Sequence, residues 1–306
     1  MRVILVGAVD SSMVALEAMV GVPGCQVDAV VTLFPEFAGR HSDIADLAGA
    51  AVARGIPLVE VKNVNHADAL ERLAAWDPDY IFVIGWSQIC GEEFRALAPG
   101  RVIGYHPAAL PRLRGRGVIP WTILNSEPIT AGTLFWIDDG VDTGDILDQA
   151  FFHVAPDETA ASLYRKHMEA LQTMLHRSLR ALAAGNLPRR RQDERCATFC
   201  ARRTDADGEI DWSAPAESVV RLIRAVSRPY PGAFTNSRSG QLRLWAAEAL
   251  QGGHGHLGAA GQVVWRDADL FAVRCGDGNL IRVTEWSSEA AGRPPILHAR
   301  LGAHVS

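Results

Sequence analysis

Short apolar runs alternate with segments of helical periodicity over the first part of this chain, up to His106. The run 3–7 is continuous, apolar and ends in glycine, which is typical of a strand buried on both faces. The same pattern predicts strands at 27–32, 56–61, 80–85 and 102–106, and helices around 13–19 and at 44–53, 67–76 and 92–97. This alternation predicts an α/β domain with a doubly wound, mostly parallel sheet.

Doubly wound sheets bind ligands beyond the carboxyl ends of their strands, so the turns after the strands are where chemistry is expected. The first of these turns, Gly7-Ala-Val-Asp-Ser-Ser, lacks the second and third glycines of a dinucleotide-binding loop. A phosphate-binding loop with the Walker spacing does not occur in the sequence. The sequence therefore disfavours NAD binding and phosphoryl transfer.

The pattern changes in the second half of the chain. One long helix is predicted at 158–184, and after a glycine–proline stop a polar stretch begins with three arginines. A helix is expected at 214–226 with Ser213 as its N-cap, followed by short alternating runs at 233–235, 242–246, 262–265, 270–274 and 280–284. We therefore expect a Rossmann-like α/β domain at 1–188, a linker at 189–203 and a small β-barrel or sandwich domain at 204–306.

The composition is that of an ordinary globular protein, with 48% hydrophobic and 21% charged residues. Acidic residues outnumber Lys and Arg by 35 to 30, which argues against nucleic-acid binding because that depends on clustered positive charge. The apolar run at the N-terminus is too short for a signal peptide or a membrane span, and five cysteines without a CxxC pair fit a reduced compartment. We therefore expect a cytoplasmic protein that has no membrane partner.

The stretch from Gly104 to Asp145 holds the candidate chemistry. His106 ends a predicted buried strand, and an acidic turn, 138–145, follows the predicted strand 130–137. A carboxylate from such a turn favours the charged imidazolium and fixes the orientation of the ring, which would make a proton-handling pair. A structural histidine and a solvated turn fit the same residues. The turn lacks the twelve-residue pattern and the terminal glutamate of a calcium loop.

These residues resemble the signature of the folate-dependent formyltransferases. The resemblance rests on His106-Pro-Ala-Ala-Leu-Pro-Arg-Leu-Arg-Gly-Arg116, on Thr130-Ala-Gly-Thr-Leu134 and on Asp139-Gly-Val-Asp-Thr-Gly-Asp-Ile146. It continues at 208–212 and 224–234, so it covers nearly the whole chain, including a C-terminal domain. The segments 63–66 and 230–234 most resemble the formyltransferase domain of the UDP-4-amino-4-deoxy-L-arabinose enzyme.

The resemblance implies that an acceptor amine attacks the formyl carbon of N10-formyltetrahydrofolate, which serves as cosubstrate. In the family an asparagine and a histidine hold the oxyanion and an aspartate orients the histidine; the histidine falls on His106 and the aspartate on Asp142. The pterin-binding loops and a folate-contacting arginine correspond to Gln88, Ile89, Cys90, Asp138, Asp139, Gly140, Val141, Asp142 and Arg116. The resemblance implies no metal.

One position departs from the family pattern. The family asparagine lies two residues before the histidine, where this chain has Gly104; Tyr105 points to the other side of the strand and is not a simple substitute. Losing one oxyanion donor costs about 10² to 10³ in rate. We expect another donor, such as Gln88 or Asn125, or a water to take its place; otherwise the protein no longer transfers formyl groups efficiently. The glycine is also expected to open space for a bulkier acceptor, and Gly104→Asn to leave activity equal or higher.

The expected function is formyl transfer to the amine of a small molecule, with a nucleotide-linked amino sugar as the first acceptor and amino-acid or siderophore-precursor amines next. The alternatives are a methionyl-tRNA formyltransferase, a formyl-folate hydrolase, and a folate- or nucleotide-binding module without efficient turnover. The segment 34–46, in which Arg40 is the one permanent cation, disfavours tRNA. The oligomeric state is left open; a homodimer is one option, since sugar enzymes of this type often dimerise through their C-terminal regions.

Overall fold

The computed structural model of the protein describes residues 1–38, 44–250, 255–288 and 294–302. The chain divides into two compact units. The first comprises 1–118, 128–153 and 164–201, and the second comprises 119–127, 154–163 and the residues from 202 onward. The division expected from the sequence, with boundaries after 188 and 203, stays a prediction. Arg40, which entered the argument against tRNA, lies outside the described residues.

The described part of the first unit is built on a seven-stranded sheet. The strands of this unit are β1 Arg2–Val6, β2 Gln26–Leu33, β3 Leu58–Val61, β4 Tyr80–Val83, β5 Val102–His106, β6 Arg114–Gly115, β7 Ile129–Trp136, β8 Ile146–His153 and β9 Phe199–Cys200. The order in the large sheet is β3-β2-β1-β4-β5-β7-β8, in which β1 to β5 are parallel while β7 and β8 are added antiparallel. The predicted mostly parallel α/β sheet is thereby confirmed.

Helices connect the strands. They are α1 Asp10–Gly21, α2 Pro35–Ala38, α3 Leu47–Ala53, α4 Ala67–Ala74, α5 Glu92–Arg95, α6 Val118–Leu124, α7 Ala160–Ala183 and α8 Ala216–Val226. Helix α3 begins later than predicted because the Asp46 carboxylate accepts a hydrogen bond from the N–H of Gly49 at 2.8 Å and caps the helix there. None of the described helices is long and apolar enough to span a membrane.

Buried apolar side chains cover both faces of the large sheet and thereby orient β5. Ile103 and Tyr105 pack with a cluster that includes Leu171 of α7. Val102 packs with the opposite cluster, which includes Phe94 of α5. Since side chains alternate along a strand, Gly104 and His106 lie on the side of Val102, away from α7.

Residues 189–201, most of the segment predicted as a linker, have specific partners within the first unit. Arg190 and Ile146 exchange two backbone hydrogen bonds of 2.8 and 2.9 Å. Further along, β9 pairs in parallel with β6, and the carbonyl of Thr198 accepts a hydrogen bond from the N–H of Arg114 at 2.8 Å. This segment therefore reaches back to residues far earlier in the chain, among them those that adjoin the candidate site.

The second unit contains an antiparallel sheet, which confirms the predicted β-rich C-terminal domain. Its strands are β10 Ala233–Ser237, β11 Gly240–Leu250, β12 Val263–Asp267, β13 Leu270–Arg274 and β14 Leu280–Ser288, in the order β10-β11-β14-β13-β12. The prediction that Ser213 is the N-cap of α8 was wrong. Its hydroxyl donates to Asp211 at 2.6 Å instead, Pro215 holds the cap position, and Asp277 accepts from the N–H of Ala216 at 3.2 Å.

Candidate active site

His106 is the last residue of β5, and its side chain is buried, with 5% of the residue exposed. It stands at the carboxyl end of a parallel strand, the edge where open α/β sheets place their ligands. Immediately after it the chain leaves the sheet, and the next strand to return, β7, runs antiparallel to β5. The sequence prediction that places this imidazole at a strand end therefore agrees with the structure.

Each ring nitrogen of His106 faces an oxygen atom. Nε2 lies 2.7 Å from the carbonyl oxygen of Leu113, and Nδ1 lies 3.5 Å from Oδ2 of Asp142. A carbonyl only accepts hydrogen bonds, so Nε2 carries the proton of the neutral ring and the lone pair is on Nδ1. A proton that arrives at Nδ1 forms an imidazolium beside an anion, which is the charge state that a carboxylate stabilises.

The carboxylate of Asp142 is held by the backbone. Its Oδ2 accepts a hydrogen bond from the N–H of Gly115 at 2.8 Å, and its side chain is 18% exposed. Asp142 adopts φ 57°, a left-handed conformation that aspartate tolerates better than most residues. The structure thus brings His106 and Asp142 together, while the roles of both stay a proposal.

Backbone atoms of the two-residue strand β6, and of the residue just before it, hold His106 and Asp142. Leu113, just before β6, accepts from the imidazole, and Gly115 donates to the carboxylate. Leu113 has φ 58° and its N–H donates to Oγ1 of Thr198 at 2.8 Å. Gly115 has φ 103°, and a Cβ there would lie 2.7 Å from the carbonyl oxygen of Cys200. Only glycine therefore lets β6 approach β9 at this point.

The space beside Gly104 is filled by an aromatic ring. Gly104 pairs with Phe135 in the register of β5 and β7, and a Cβ at residue 104 would lie 2.8 Å from the Phe135 ring and 3.1 Å from Ile137. Phe135 is buried. The expectation that this glycine opens space for a bulkier acceptor was therefore wrong, because Phe135 occupies the place of the missing side chain.

Gln88, predicted as a substitute donor and as part of a pterin-binding loop, directs its amide to a neighbouring loop. Its Nε2 donates to the carbonyl of Lys62 at 2.8 Å, and its Oε1 accepts from the N–H of Val64 at 3.3 Å. Both ends of the amide bind this loop through one N–H and the oxygen, and the part of Gln88 as a substitute donor stays a prediction. Asn125 belongs to the second unit, and its part as a substitute stays a prediction.

The two residues after Gln88 have different surroundings. Ile89 is 71% exposed, whereas Cys90 is buried in the cluster that contains Phe94. Burial raises the pKa of the Cys90 thiol to about 12, so it stays protonated at neutral pH and contributes packing. The side chain that this loop offers to a ligand is therefore the apolar surface of Ile89.

Asp138 organises the acidic turn from within. Its Oδ1 accepts a hydrogen bond from Oγ1 of Thr143 at 2.6 Å and another from the N–H of Gly140 at 3.1 Å. Asp139 and Gly140 are exposed, as is Val141 at 53%. Arg116, which follows Gly115, is exposed as well. A ligand at this turn would meet Val141 and the exposed backbone of residues 139 and 140.

Leu113 and Gly115 are site residues that sequence reasoning missed. Both act through backbone atoms, which leave no side-chain signature in a sequence. A signal was present for Gly115, because a glycine between two arginines in a loop indicates a positive φ or a close approach of two backbones. For Leu113 the sequence offers no such signal.

A cavity of about 530 Å³ lies next to the turn without including the pair. It is lined by Trp136, Asp138, Asp145, Arg189 and Glu194, among others; neither His106 nor Asp142 lines it. Among the described residues no group of three or more histidine, cysteine, aspartate or glutamate side chains is arranged to hold a metal ion.

The fold and the site are those of a doubly wound α/β unit with a buried histidine beside a carboxylate at a strand end, the place where such sheets bind ligands. Family models give the relationship. Residues 15–179 match the model described as formyl transferase, and residues 203–293 match that of the formyl transferase C-terminal domain. The chain belongs to the formyl transferase family.

Solved structures share the fold at low sequence identity. An N-formyltransferase from Helicobacter canadensis, in complex with folinic acid and dTDP-3-aminofucose, is 18% identical with a TM-score of 0.69, over 92% of this chain and 98% of that one. HypX from Aquifex aeolicus is 18% identical with a TM-score of 0.66; 94% of this chain aligns with it and spans 44% of its length. Glycinamide ribonucleotide transformylase 1 from Symbiobacterium toebii is 21% identical with a TM-score of 0.52, over 62% of this chain and 92% of that one.

Proposed function

We propose that this chain transfers the formyl group of N10-formyltetrahydrofolate to the amine of a small molecule, and that the acceptor is a nucleotide-linked amino sugar. The observation that carries this proposal is the buried imidazole of His106 with the carboxylate of Asp142 at 3.5 Å from its Nδ1, at the carboxyl end of β5. Membership of the formyl transferase family supplies the reaction class.

His106 and Asp142 would carry out the proton transfer that this reaction requires. A bond forms between the amine nitrogen and the formyl carbon, the bond from that carbon to N10 breaks, and one proton moves from the amine to the leaving nitrogen. The neutral imidazole of His106 accepts this proton at Nδ1, because Leu113 keeps the other proton on Nε2. Asp142 stabilises the imidazolium until the proton passes to tetrahydrofolate.

The exposed residues of two loops suit a folate. Ile89 on one loop and Val141 on the other are exposed apolar side chains, which a flat pterin ring would cover. Arg116 is exposed and carries a guanidinium suited to the carboxylates of the folate tail. Gln88 and Cys90 would contribute through the backbone of their loop, since the Gln88 amide is engaged and the Cys90 side chain is buried.

The choice of acceptor rests on comparison and charge. The Helicobacter canadensis protein, whose length this chain covers almost fully, was solved with a dTDP-linked amino sugar. The chain carries a net charge of -5, which is unfavourable for gripping a tRNA. A nucleotide sugar needs only a local site, whereas a tRNA needs an extended basic surface.

The test is an assay of tetrahydrofolate release from N10-formyltetrahydrofolate with a panel of amines: nucleotide-linked amino sugars, free amino acids, siderophore-precursor amines and charged initiator tRNA. We expect release that depends on the amine and is fastest with a nucleotide-linked amino sugar. Release without any amine would identify a formyl-folate hydrolase. Release with tRNA alone would identify a methionyl-tRNA formyltransferase, and either result would contradict the proposal.

A second candidate function is favoured by one observation. Phe135 fills the place of the family asparagine beside Gly104. A site with one oxyanion donor fewer is expected to be slower by about 10² to 10³, which would suit a folate-binding module without efficient turnover. Tight binding of the folate, measured by calorimetry, without release in any arm of the assay would establish this second function.

Location and assembly are also part of the proposal. We propose a cytoplasmic protein, in keeping with a folate cosubstrate and with cysteines that form no disulfide among the described residues. We propose a homodimer as well, by analogy with sugar enzymes of this type. Sedimentation at micromolar concentration tests the dimer, and a monomer there would contradict it.

A further inference from the structure

Arg114 is a buried cation that lies between the two backbone groups holding the proposed catalytic pair. Its side chain is 1% exposed. The guanidinium donates two hydrogen bonds, of 2.6 and 2.9 Å, to the carboxylate of Glu194, and two more, of 2.7 and 3.2 Å, to Oε1 of Gln192. A buried guanidinium needs such partners, because an unpaired charge in the interior is costly.

The charge of Arg114 fixes the orientation of the Gln192 amide. An arginine only donates hydrogen bonds, so the amide oxygen has to face it and the NH₂ group has to face the other way. There Nε2 of Gln192 donates to the carbonyl oxygens of Asp142, at 2.8 Å, and of Gly144, at 2.7 Å. Gln192 is itself buried, so these bonds are made away from solvent.

Asp142 is therefore held at two points. Gly115 holds its carboxylate and Gln192 holds its carbonyl, and both contacts lead back to β6. Two anchors of this kind fix the left-handed backbone of Asp142, which is uncommon for a residue other than glycine and persists where its surroundings determine it.

We propose that Arg114 and Gln192 are positioning residues for the reaction: they fix the backbone of the acidic turn so that the carboxylate of Asp142 stays beside Nδ1 of His106. This inference rests on the proposed function. Neither residue touches the reacting groups. Misplacing a catalytic group by about 1 Å costs on the order of 10² in rate, so this is the size of effect that the proposal predicts.

The test uses an isosteric change. Gln192→Glu keeps an acceptor towards Arg114 but places an oxygen where the NH₂ group donates to the turn, so the carbonyls of Asp142 and Gly144 are repelled. We expect kcat to fall about 10²-fold while KM for the formyl donor stays within about twofold. Gln172→Glu on the exposed face of α7 is the matched control, with the same change in atoms and charge and no expected effect.

A second variant guards against misfolding. Gln192→Met keeps the volume of the side chain, removes its hydrogen bonds and adds no charge; we expect a loss in kcat of the same order in a folded protein whose thermal midpoint is a few degrees lower, because Arg114 keeps Glu194 but loses its other acceptor. Loss of folding in both Gln192 variants would overturn the proposal, since the network would then serve stability. A rise in KM alone would overturn it as well.

Coupling to Asp142 separates positioning from a general structural effect. In an Asp142→Ala background we expect Gln192→Glu to lower kcat by less than about twofold, because the group that it positions is gone. The same fold-loss in both backgrounds would contradict the proposal.

An NMR measurement that does not depend on turnover distinguishes this inference from the proposed function. We expect Gln192→Glu to shift the ring ¹⁵N resonances of His106 and to leave those of His167 unchanged. A protein that transfers no formyl group would contradict the proposed function, and the resonances would still test the positioning. Unchanged His106 resonances would overturn the positioning role of Arg114 and Gln192.

Discussion

Two buried histidines lie on opposite faces of the same sheet, and their surroundings differ. His106 has a carbonyl oxygen at one ring nitrogen and a carboxylate near the other. His167 on α7 is fully buried; its Nδ1 lies 3.3 Å from the Tyr105 hydroxyl, and its Nε2 has no hydrogen-bond partner in the described part of the chain. The Phe152 ring contacts it edge-on, with the ring centroids 4.9 Å apart.

The comparison shows that two histidines buried to a similar degree have different electrostatic surroundings. Burial lowers the pKa of His167 to about 3, with a smaller contribution from His106, so this ring stays neutral at physiological pH. His106 is almost as buried but has an anion beside it. The difference between the two is the partner, which here is Asp142.

The largest expected effect separates the two histidines by activity. We expect His106→Gln to lower the rate of formyl transfer by about 10² to 10⁴, because glutamine does not accept a proton at neutral pH. We expect His167→Gln, the matched control, to change the rate by less than about threefold. Rates under single-turnover conditions check both, and equal losses in the two variants would break the distinction.

The next effect concerns β5, the strand that ends in His106 and contacts His167 through Tyr105. Gly104→Asn, which the family pattern alone favours, is now expected to lower the free energy of unfolding by about 1–3 kcal/mol, because its side chain meets Phe135. Activity should fall with it, since His106 is two residues further along the strand. Chemical denaturation and the formyl-transfer assay measure the two quantities.

The control for this prediction is a change in the neighbour. In a Phe135→Leu background, which removes part of the ring, Gly104→Asn should cost less than it does in the natural chain. If Gly104→Asn is as stable and as active as the natural protein, the close packing of Phe135 on Gly104 would not matter and this part of the account would be wrong.

The third effect is on stability as a function of pH and leaves activity at neutral pH unchanged. The pKa of His167 is about 3 in the folded chain and about 6.5 when unfolded, so between these values the unfolded state binds the extra proton. Stability due to this group is therefore complete above pH 6.5 and falls by about 1.4 kcal/mol per pH unit below it. His167→Gln should flatten this slope and leave activity at neutral pH intact.

Denaturation at several pH values between 7 and 4.5 measures the slope. Exposed His153 supplies the control, since His153→Gln should leave the slope unchanged. An identical slope in the natural protein and in His167→Gln would show that this histidine is not buried in its neutral form.

The sequence predicts the parts of the molecule that depend on local pattern. The strand bounds 102–106 and 270–274 agree with the structure, and the long helix predicted at 158–184 is found at Ala160–Ala183, because continuous apolar runs and helical spacing are local signals. The sequence did not predict the start of α8 correctly. Asp277, which accepts the hydrogen bond from the N–H of Ala216 at this start, lies 61 positions further along the chain.

The candidate site divides in the same way. His106 and Asp142 follow from a strand end, an acidic turn and a family motif. The pairing of β6 with β9 joins residues far apart in the sequence and involves only two residues from each strand. No periodic pattern in the sequence therefore predicts it. The filling of the space at Gly104 depends on the register between β5 and β7, which the sequence of β5 alone does not contain.

The most direct measurement is a double-mutant cycle on the pair, with His106→Gln and Asp142→Asn made singly and together and formyl transfer followed over a single turnover. If the imidazole and the carboxylate work as one unit, the double variant should be slower than the slower single variant by no more than about threefold. Losses that multiply in the double variant would show two independent groups and would contradict the account.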